Sequence, residues 1–255
     1  MSGSLVIVGL GPGPIELLTP AATAALQAAT DLVGYETYID RIPKTIFSQR
    51  RHASGNRVEI DRARHALMLA AEGNKVAIVS GGDPGVFAMA AAVFEAIEVG
   101  DPAWRELDIR IEPGITAMLA AAAEVGAPLG ADFCAISLSD NLKSWQTIER
   151  RLRAAAEGDF VIALYNPASR ARPRQLGRAF DLLRATKSPE AIVLFVRSAG
   201  TSESRVVMTV LAEADPALAD MRTLVIIGAA ATRLISRNGR RPWVYTPRAE
   251  QAVVR

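Results

Sequence analysis

Short apolar runs alternate with longer amphipathic stretches along most of this chain. In the first half, runs of strand length cover 5–8, 31–35, 76–79 and 107–111. Between and after them, the spacing of apolar positions and the capping residues predict helices over 19–29, 57–72, 83–99 and 115–124. This alternation is typical of right-handed βαβ units that build a mostly parallel sheet.

The second half shows a similar series with a different connection pattern. Strands are predicted over 133–137, 160–165, 191–196, 206–210 and 224–227, and helices over 144–156, 173–185 and 210–219. The apolar runs at 206–210 and 243–245 flank turns rather than long helices, so this half is expected to contain antiparallel pairs. The glycines in 126–130 predict a linker. We therefore expect an N-terminal α/β domain over residues 1–115 and a C-terminal α/β domain over residues 116–255.

Composition narrows the class of protein. Half of the 255 residues are apolar, and the net charge of +2 gives no reason to expect nucleic acid as a partner. The single cysteine, Cys134, excludes a disulfide framework and a cysteine-ligated cluster. His52 and His65 lie in a polar stretch, so neither a metal site nor a Ser-His-Asp triad is expected. With no signal peptide and no span of membrane length, the sequence predicts a cytoplasmic protein without membrane partners.

Two glycine-rich turns, at 9–14 and 80–85, each follow an apolar strand. Ligands of open α/β sheets bind beyond the carboxyl ends of strands, and glycines there allow a ligand to touch the main chain. A pyrophosphate site needs several main-chain N–H donors, which Pro12 and Pro14 lack. The turns therefore predict a small-molecule site that is poorly suited to a dinucleotide.

Three motifs resemble, in the same order, those of the tetrapyrrole methyltransferase family. They are Gly9-Leu-Gly-Pro-Gly13, Ser80-Gly-Gly-Asp-Pro-Gly-Val86 and Glu112-Pro-Gly-Ile-Thr-Ala117. The resemblance extends over nearly the whole chain. It implies two αβα domains, with a mostly parallel N-terminal sheet and a mixed C-terminal sheet. It also implies that S-adenosylmethionine binds in a cleft between them, that S-adenosylhomocysteine is released, and that the protein is a homodimer.

Three further stretches, 33–39, 164–170 and 196–200, resemble the branch of this family that acts at C-17 of precorrin-3B. The segment 137–140 and Trp145 are similar to the same branch. This resemblance implies methylation of precorrin-3B, or of its cobalt counterpart, at C-17. Ring contraction to precorrin-4 during cobalamin biosynthesis would accompany the methylation.

The resemblance also assigns site residues. The positions implied for the cofactor are Pro12, Gly81, Gly82, Asp83, Val86, Thr116, Ala117, Asn166, Gly228 and Ala229. Ring contraction calls for a general acid and base, for which the candidates are Glu36, Asp83, Ser139 and Tyr165. The carboxylates of a tetrapyrrole suit arginine, so the substrate candidates are Tyr35, Tyr38, Arg170 and Arg197.

Several alternatives remain open at this point. A sister enzyme would methylate C-11 or C-20 of a precorrin instead. Gly9-Leu-Gly11 together with Glu36 also fits an NAD(P)- or flavin-binding oxidoreductase. Other proteins of this architecture methylate RNA or a protein residue. A ligand-sensing domain without catalytic activity is a further alternative.

Overall fold

A computed structural model describes residues 3–44, 49–56, 58–169 and 171–249, and the chain divides into two compact units between Ala117 and Met118. The first unit contains a five-stranded sheet in which every pair is parallel, in the order β3-β2-β4-β1-β5. Its strands are β1 (Ser4–Gly9), β2 (Asp31–Tyr35), β3 (Arg50–Ser54), β4 (Lys75–Ser80) and β5 (Asp108–Glu112). Its helices are α1 (Pro20–Ala28), α2 (Glu36–Ile39), α3 (Glu59–Ala71) and α4 (Met89–Val99). The expected parallel α/β sheet is confirmed.

Helices cover both faces of this sheet. Along β1, Leu5 and Ile7 pack in a core with α3 and α4, whereas Val6 and Val8 pack in a second core with α1. All four side chains are buried. A strand that is buried on both faces consists of consecutive apolar residues, which is why these strands are visible in the sequence.

One local expectation in this unit is wrong, and one strand was not predicted. The segment from Asp83 does not begin a helix, because α4 starts at Met89. Instead, the carboxylate of Asp83 accepts a hydrogen bond from the amide of Gly85, and Phe87 has a left-handed φ of 54° that interrupts helical geometry. The strand β3 was not predicted, because it is polar and pairs only with β2 at the edge of the sheet.

Asp31 is a fully buried carboxylate at the N-terminal end of β2. It accepts hydrogen bonds from Thr30 Oγ1 at 2.7 Å and Arg50 Nη2 at 2.8 Å, and its Oδ1 lies 2.9 Å from His52 Nε2. Burial alone raises the pKa of Asp31, but the hydrogen bonds from Thr30, His52 and Arg50 outweigh burial and bring this pKa below its ordinary value. His65 Nε2 extends the chain of contacts to His52 Nδ1 at 3.1 Å.

Replacing Asp31 with Asn should lower the free energy of unfolding at neutral pH by roughly 1.5–3 kcal/mol, the range for hydrogen bonds to charged groups. Because folding lowers the pKa of Asp31, its contribution is present above about pH 4 and is lost as the pH falls through the folded-state pKa. In urea unfolding, the difference in free energy of unfolding between wild type and Asp31→Asn should therefore become smaller below about pH 4. The control is Asp61→Asn, which changes an exposed carboxylate. Its free energy of unfolding should lie within about 0.5 kcal/mol of the wild-type value. A gap that is independent of pH would contradict this account.

The second unit contains a mixed five-stranded sheet in the order β10-β9-β11-β8-β7. Its strands are β7 (Phe133–Ser137), β8 (Val161–Tyr165), β9 (Ile192–Arg197), β10 (Arg205–Val210) and β11 (Thr223–Ile227). The pair β7/β8 is parallel, whereas β8/β11, β11/β9 and β9/β10 are antiparallel, which confirms the expected mixture. The helices are α5 (Ala117–Val125), α6 (Trp145–Glu157) and α7 (Gln175–Arg184). Helices α6 and α7 pack on the sheet through a core that includes Leu152, Phe180 and Phe195.

A smaller sheet in this unit corrects one expectation. It consists of β6 (Gly126–Ala127), β12 (Arg233–Arg237) and β13 (Arg240–Tyr245). The segment 126–130 is therefore not a free linker, because Gly126 and Ala127 pair with β13.

The helix predicted over 210–219 is also wrong: two short 3-10 turns occupy this segment, at Leu211–Glu213 and Pro216–Leu218. Asp215 and Pro216 begin the second turn, and proline cannot continue a preceding helix.

No helix within the described part of the chain has both the length and the apolar character needed to cross a membrane.

Candidate functional site

Three loops of the first unit meet beyond the carboxyl ends of their strands. We name them loop 1 (9–14, after β1), loop 2 (80–85, after β4) and loop 3 (112–116, after β5). Loops 1 and 2 are joined by main-chain hydrogen bonds: Leu10 N donates to Ser80 O at 2.8 Å, and Gly11 and Gly82 exchange bonds of 3.1 and 2.9 Å. Since β1 lies between β4 and β5 in a parallel sheet, the topology brings all three motifs to one edge.

Glycine is required where these loops touch. A Cβ at Gly9 would lie 2.6 Å from Gly114 N, and a Cβ at Gly114 would lie 2.2 Å from Gly82 O. Both contacts are to main-chain atoms, which cannot give way as a flexible side chain can. Loops 1, 2 and 3 therefore pack backbone against backbone, so main-chain groups rather than side chains form this junction.

Gly82 leaves a space at the junction. Its φ of +66° is favourable only for glycine, and the position of a Cβ there is 3.6 Å from Thr116 Cα and 3.8 Å from Ala117 N. Thr116 is buried and Ala117 is half-buried. The bare main chain of Gly82 thus faces Thr116, the last residue of loop 3, and Ala117, the first residue of α5. This arrangement can hold a ligand through main-chain contacts.

The carboxylate of Asp83 ties loop 2 to loop 3. Its Oδ1 accepts from Gly85 N at 2.8 Å, and its Oδ2 accepts from Gly114 N at 3.1 Å. Both oxygens are thus engaged by main-chain amides. This geometry makes Asp83 an organiser of the loops, while its role as acid or base stays a prediction.

The remaining first-unit candidates flank the junction. Pro12 lies half-buried in loop 1, and Val86 closes a turn through its amide to Asp83 O at 3.3 Å. At the end of β2, Tyr35 contacts Tyr38 of α2 edge to face, with ring centroids 5.5 Å apart. Glu36, the first residue of α2, is exposed. Because β2 pairs with β4 in parallel, these residues share the edge of loop 2.

Arg41 belongs to this edge but was missed by the sequence reasoning. Its Nη2 donates to Gly11 O at 3.0 Å, and lies 3.4 and 3.5 Å from the carbonyl oxygens of Leu10 and Gly13. Burial lowers the pKa of the Arg41 guanidinium. No motif marks this residue, because its partners are main-chain atoms that any sequence supplies.

In the second unit, Tyr165 is the last residue of β8 and pairs with Ser137 at the end of β7, and Asn166 follows directly. Tyr165 Oη accepts from Met118 N at 3.1 Å. Asn166 adopts a φ of 53°, and its Nδ2 donates to Ser137 Oγ at 3.0 Å. The amide of Ser139 donates to the same Ser137 oxygen at 3.3 Å. The structure therefore brings Asn166 and Ser139 together through one shared hydroxyl.

The placement expected for Gly228 and Ala229 needs correction. They were expected beside Asn166 at the carboxyl ends of strands. However, β11 is antiparallel to β8, and Ile227 pairs with Ile162 near the start of β8. Gly228 N accordingly donates to Ile192 O, at the first residue of β9. Gly228 and Ala229 thus lie at the opposite edge of the sheet from Asn166.

Of the two arginines predicted to bind the substrate, Arg197 lies within the described residues. Arg170 lies outside the described residues. Arg197 Nε donates to Asp220 Oδ2 at 2.8 Å, so part of its guanidinium is already paired. Burial raises the pKa of Asp220, but hydrogen bonds from Arg197, Thr223 and the amide of Arg222 lower it below its ordinary value overall.

Comparison with known proteins identifies the family to which this geometry belongs. Residues 4–215 match the model of the Tetrapyrrole (Corrin/Porphyrin) Methylases. The chain belongs to the tetrapyrrole methylase family. The resemblance drawn from the three motifs is thereby confirmed, and membership argues against the oxidoreductase alternative.

Individual members of the tetrapyrrole methylase family are similar over almost the full chain. A precorrin-3B C(17)-methyltransferase of Sinorhizobium sp is 56% identical over 248 residues, which are 97% of each protein. The crystal structure of the methyltransferase CobJ is 54% identical with a TM-score of 0.91, covering 96% of this chain and 100% of that one. A uroporphyrin-III C-methyl transferase from Thermus thermophilus, complexed with S-adenyl homocysteine, is 23% identical with a TM-score of 0.69. It covers 89% of this chain and 97% of its own, and shares the fold.

In this tetrapyrrole methylase, the segment 198–200 lies at the end of the sheet where Gly228 was expected. Strand β9 runs parallel to β8, since both are antiparallel to β11, so Ser198, Ala199 and Gly200 follow the same edge as Asn166. Gly200 N donates to Glu124 Oε1 at 2.6 Å, and Glu124 Oε2 also accepts from Ser204 Oγ. The sequence carried a signal for this segment in the motif 196–200, but the order of strands was needed to place it.

Among the described residues, no group of three or more His, Cys, Asp or Glu side chains is placed to bind a metal ion.

Proposed function

We propose that this chain transfers a methyl group from S-adenosylmethionine to C-17 of precorrin-3B, or of its cobalt counterpart, and contracts the ring to precorrin-4 in cobalamin biosynthesis. The regiospecificity rests on the similarity to the C(17)-methyltransferase over 97% of both chains. The observation that supports a main-chain donor site is the junction of loops 1, 2 and 3. Gly9 and Gly114 leave no room there for a Cβ, and Gly82 has a φ of +66° that favours glycine.

The residues at this junction suit the proposed donor. S-adenosylmethionine supplies an activated methyl group on a sulfonium whose positive charge disappears on transfer. The protein therefore needs no nucleophilic side chain, and its main task is positioning, which is worth up to roughly 7–11 kcal/mol. We assign the donor to the main chain of Gly81 and Gly82 facing Thr116 and Ala117, with Pro12, Asp83 and Val86 around it.

Ring contraction demands proton transfer as well as methyl transfer. Glu36 is exposed at the same edge as loop 2, whereas both oxygens of Asp83 accept from amides. An exposed carboxylate can approach a substrate, whereas the Asp83 oxygens are already occupied by the amides of Gly85 and Gly114. We therefore propose Glu36 as the first acid–base candidate, ahead of Asp83, Ser139 and Tyr165.

Substrate contacts are assigned on chemical grounds. Tyr35 and Tyr38 offer aromatic surface, and Arg170 and Arg197 offer guanidinium groups for the carboxylates of the macrocycle. Arg197 keeps donors beyond the one that binds Asp220. For Asn166, Gly228 and Ala229 the assignment to the cofactor depends on the resemblance alone, and the topology favours Asn166 with Ser198–Gly200 over Gly228 and Ala229.

We further propose a homodimer in the cytoplasm, with no nucleic acid and no membrane partner. This part of the proposal is supported by the family resemblance and by the modest net charge of +2.

The direct test incubates the full chain with S-adenosylmethionine and either precorrin-3B or its cobalt counterpart, followed by mass spectrometry and absorbance. The expected product gains one methyl group at C-17 and shows a changed spectrum. Glu36→Gln should retain S-adenosylhomocysteine binding and lose turnover by roughly 10²–10⁴-fold if Glu36 transfers a proton. Methylation at C-11 or C-20 would move the chain to a sister activity, and no methyl transfer to any precorrin would refute the proposal.

A further inference from the structure

Arg41 is a half-buried cation whose guanidinium donates to three carbonyl oxygens of loop 1. It lies two residues beyond α2, where its own amide donates to Tyr38 O at 3.2 Å. From there Nη2 reaches the carbonyl oxygens of Leu10, Gly11 and Gly13. Loop 1 contains two prolines and no regular secondary structure after Gly11, so Arg41 satisfies carbonyl groups that no helix or strand pairs.

Gly11 O is the central acceptor of this arrangement. It accepts from Arg41 Nη2 at 3.0 Å and also from Gly82 N at 2.9 Å. A carbonyl oxygen has two lone pairs, so both bonds can be made at once. The same atom therefore joins the guanidinium, loop 1 and loop 2.

Tyr38 provides a second path from Arg41 to loop 2. The Arg41 guanidinium carbon lies 5.8 Å from the centre of the Tyr38 ring, within cation–π range. The Tyr38 ring also packs on Gly81, where a Cβ would come within 2.7 Å of Tyr38 Cε1 and Cζ. Arg41 thus contacts loop 1 through hydrogen bonds and loop 2 through the Tyr38 ring.

We propose that Arg41 is a positioning residue for the methyl donor, which sets the relative position of loops 1 and 2 without touching the donor itself. This inference rests on the proposed function, because the loops it organises are those assigned to S-adenosylmethionine. A partly buried guanidinium is costly unless its donors are satisfied, and here the acceptors are the peptide groups of the ligand loop. The fixed peptide planes then keep the bare edge of Gly81 and Gly82 in one conformation before the donor arrives.

The test measures binding of S-adenosylhomocysteine to the full chain by calorimetry, for wild type, Arg41→Ala and Arg41→Lys. We expect Arg41→Ala to weaken binding roughly 10- to 100-fold, because the ligand must then bear the cost of ordering loops 1 and 2. Arg41→Lys should be intermediate, because an ammonium keeps the charge but lacks the planar fork. The matched control is Arg105→Ala, which removes a guanidinium bonded to one helix carbonyl, that of Glu98, and should leave binding unchanged.

Chemical rescue separates positioning from loss of fold. A low, non-denaturing concentration of guanidinium should restore part of the S-adenosylhomocysteine affinity of Arg41→Ala, whereas the same concentration of methylammonium should not. A general loss of stability would instead be worsened by guanidinium. In turnover assays, the KM for S-adenosylmethionine should rise more than the KM for the tetrapyrrole.

The failures of the two proposals can be told apart. Wild-type affinity in Arg41→Ala would overturn the role of Arg41 and leave the proposed function standing. An equal loss in Arg105→Ala, or an Arg41→Ala defect that guanidinium does not relieve, would also overturn it. Absence of S-adenosylhomocysteine binding in the wild type would refute the proposed donor itself. If Arg41→Ala does not fold, wild-type affinity in a folded Arg41→Lys overturns the inference in its place.

Discussion

Gly114→Ala should reduce S-adenosylhomocysteine affinity by on the order of 100-fold, because it forces the ligand loops apart. The new methyl group would lie 2.2 Å from Gly82 O and 2.9 Å from Gly9 C, and neither main-chain atom can move without disturbing loop 1 or loop 2. Overpacking of this kind also costs about 1–3 kcal/mol of stability. Calorimetric titration and urea unfolding measure the two effects separately.

Gly177→Ala is the control for this prediction. Gly177 lies within α7, where a Cβ would meet only Pro216 Cγ at an ordinary contact distance of 3.7 Å. Alanine is a better helix former than glycine, so this variant should be stabilised by about 0.5–1 kcal/mol with unchanged ligand affinity. If Gly114→Ala binds S-adenosylhomocysteine like Gly177→Ala, the backbone junction is not part of the donor site.

Asp83→Asn should weaken S-adenosylhomocysteine binding almost as strongly as Asp83→Ala. Both carboxylate oxygens accept from amides, so the side-chain NH2 of asparagine would oppose one of the two N–H groups, of Gly85 or Gly114. Each lost hydrogen bond to a charged group is worth roughly 1.5–3 kcal/mol, which is about 10- to 100-fold in affinity. The measurement is binding affinity together with kcat and KM for both variants.

The split between binding and turnover distinguishes two roles of Asp83. A proton-transfer residue would lose kcat in Asp83→Asn while binding stayed intact, and that outcome would contradict the organising role assigned here. Asp101→Asn is the matched control, since Asp101 caps a short turn through Ala103 N and asparagine caps as well as aspartate. Its affinity and turnover should equal those of the wild type.

Much of the first unit could be predicted because its information is local. The strands β1 and β4 are buried on both faces, so they appear as uninterrupted apolar runs, and each is followed at once by its glycine motif. Parallel pairing of β1 with β4 and β5 then places the three motifs together. The sequence supplied the motifs, and elementary sheet geometry supplied their common edge.

The errors arise where distant parts of the chain decide the local structure. The segment after Asp83 is a loop because its carboxylate binds Gly114, which is 31 positions away. Gly228 was misplaced because the sequence does not reveal that β11 runs antiparallel to β8. Arg41 was overlooked for a related reason, since its acceptors are main-chain carbonyls whose orientation no residue type encodes.

A crystal structure of the full chain grown with saturating S-adenosylhomocysteine tests the central claim most directly. We predict that the ligand lies against the main chain of Gly81 and Gly82 and faces Thr116 and Ala117, with Asp83 still bound to the amides of Gly85 and Gly114. A ligand bound elsewhere, or its absence from this edge of the first unit at saturating concentration, would contradict the account.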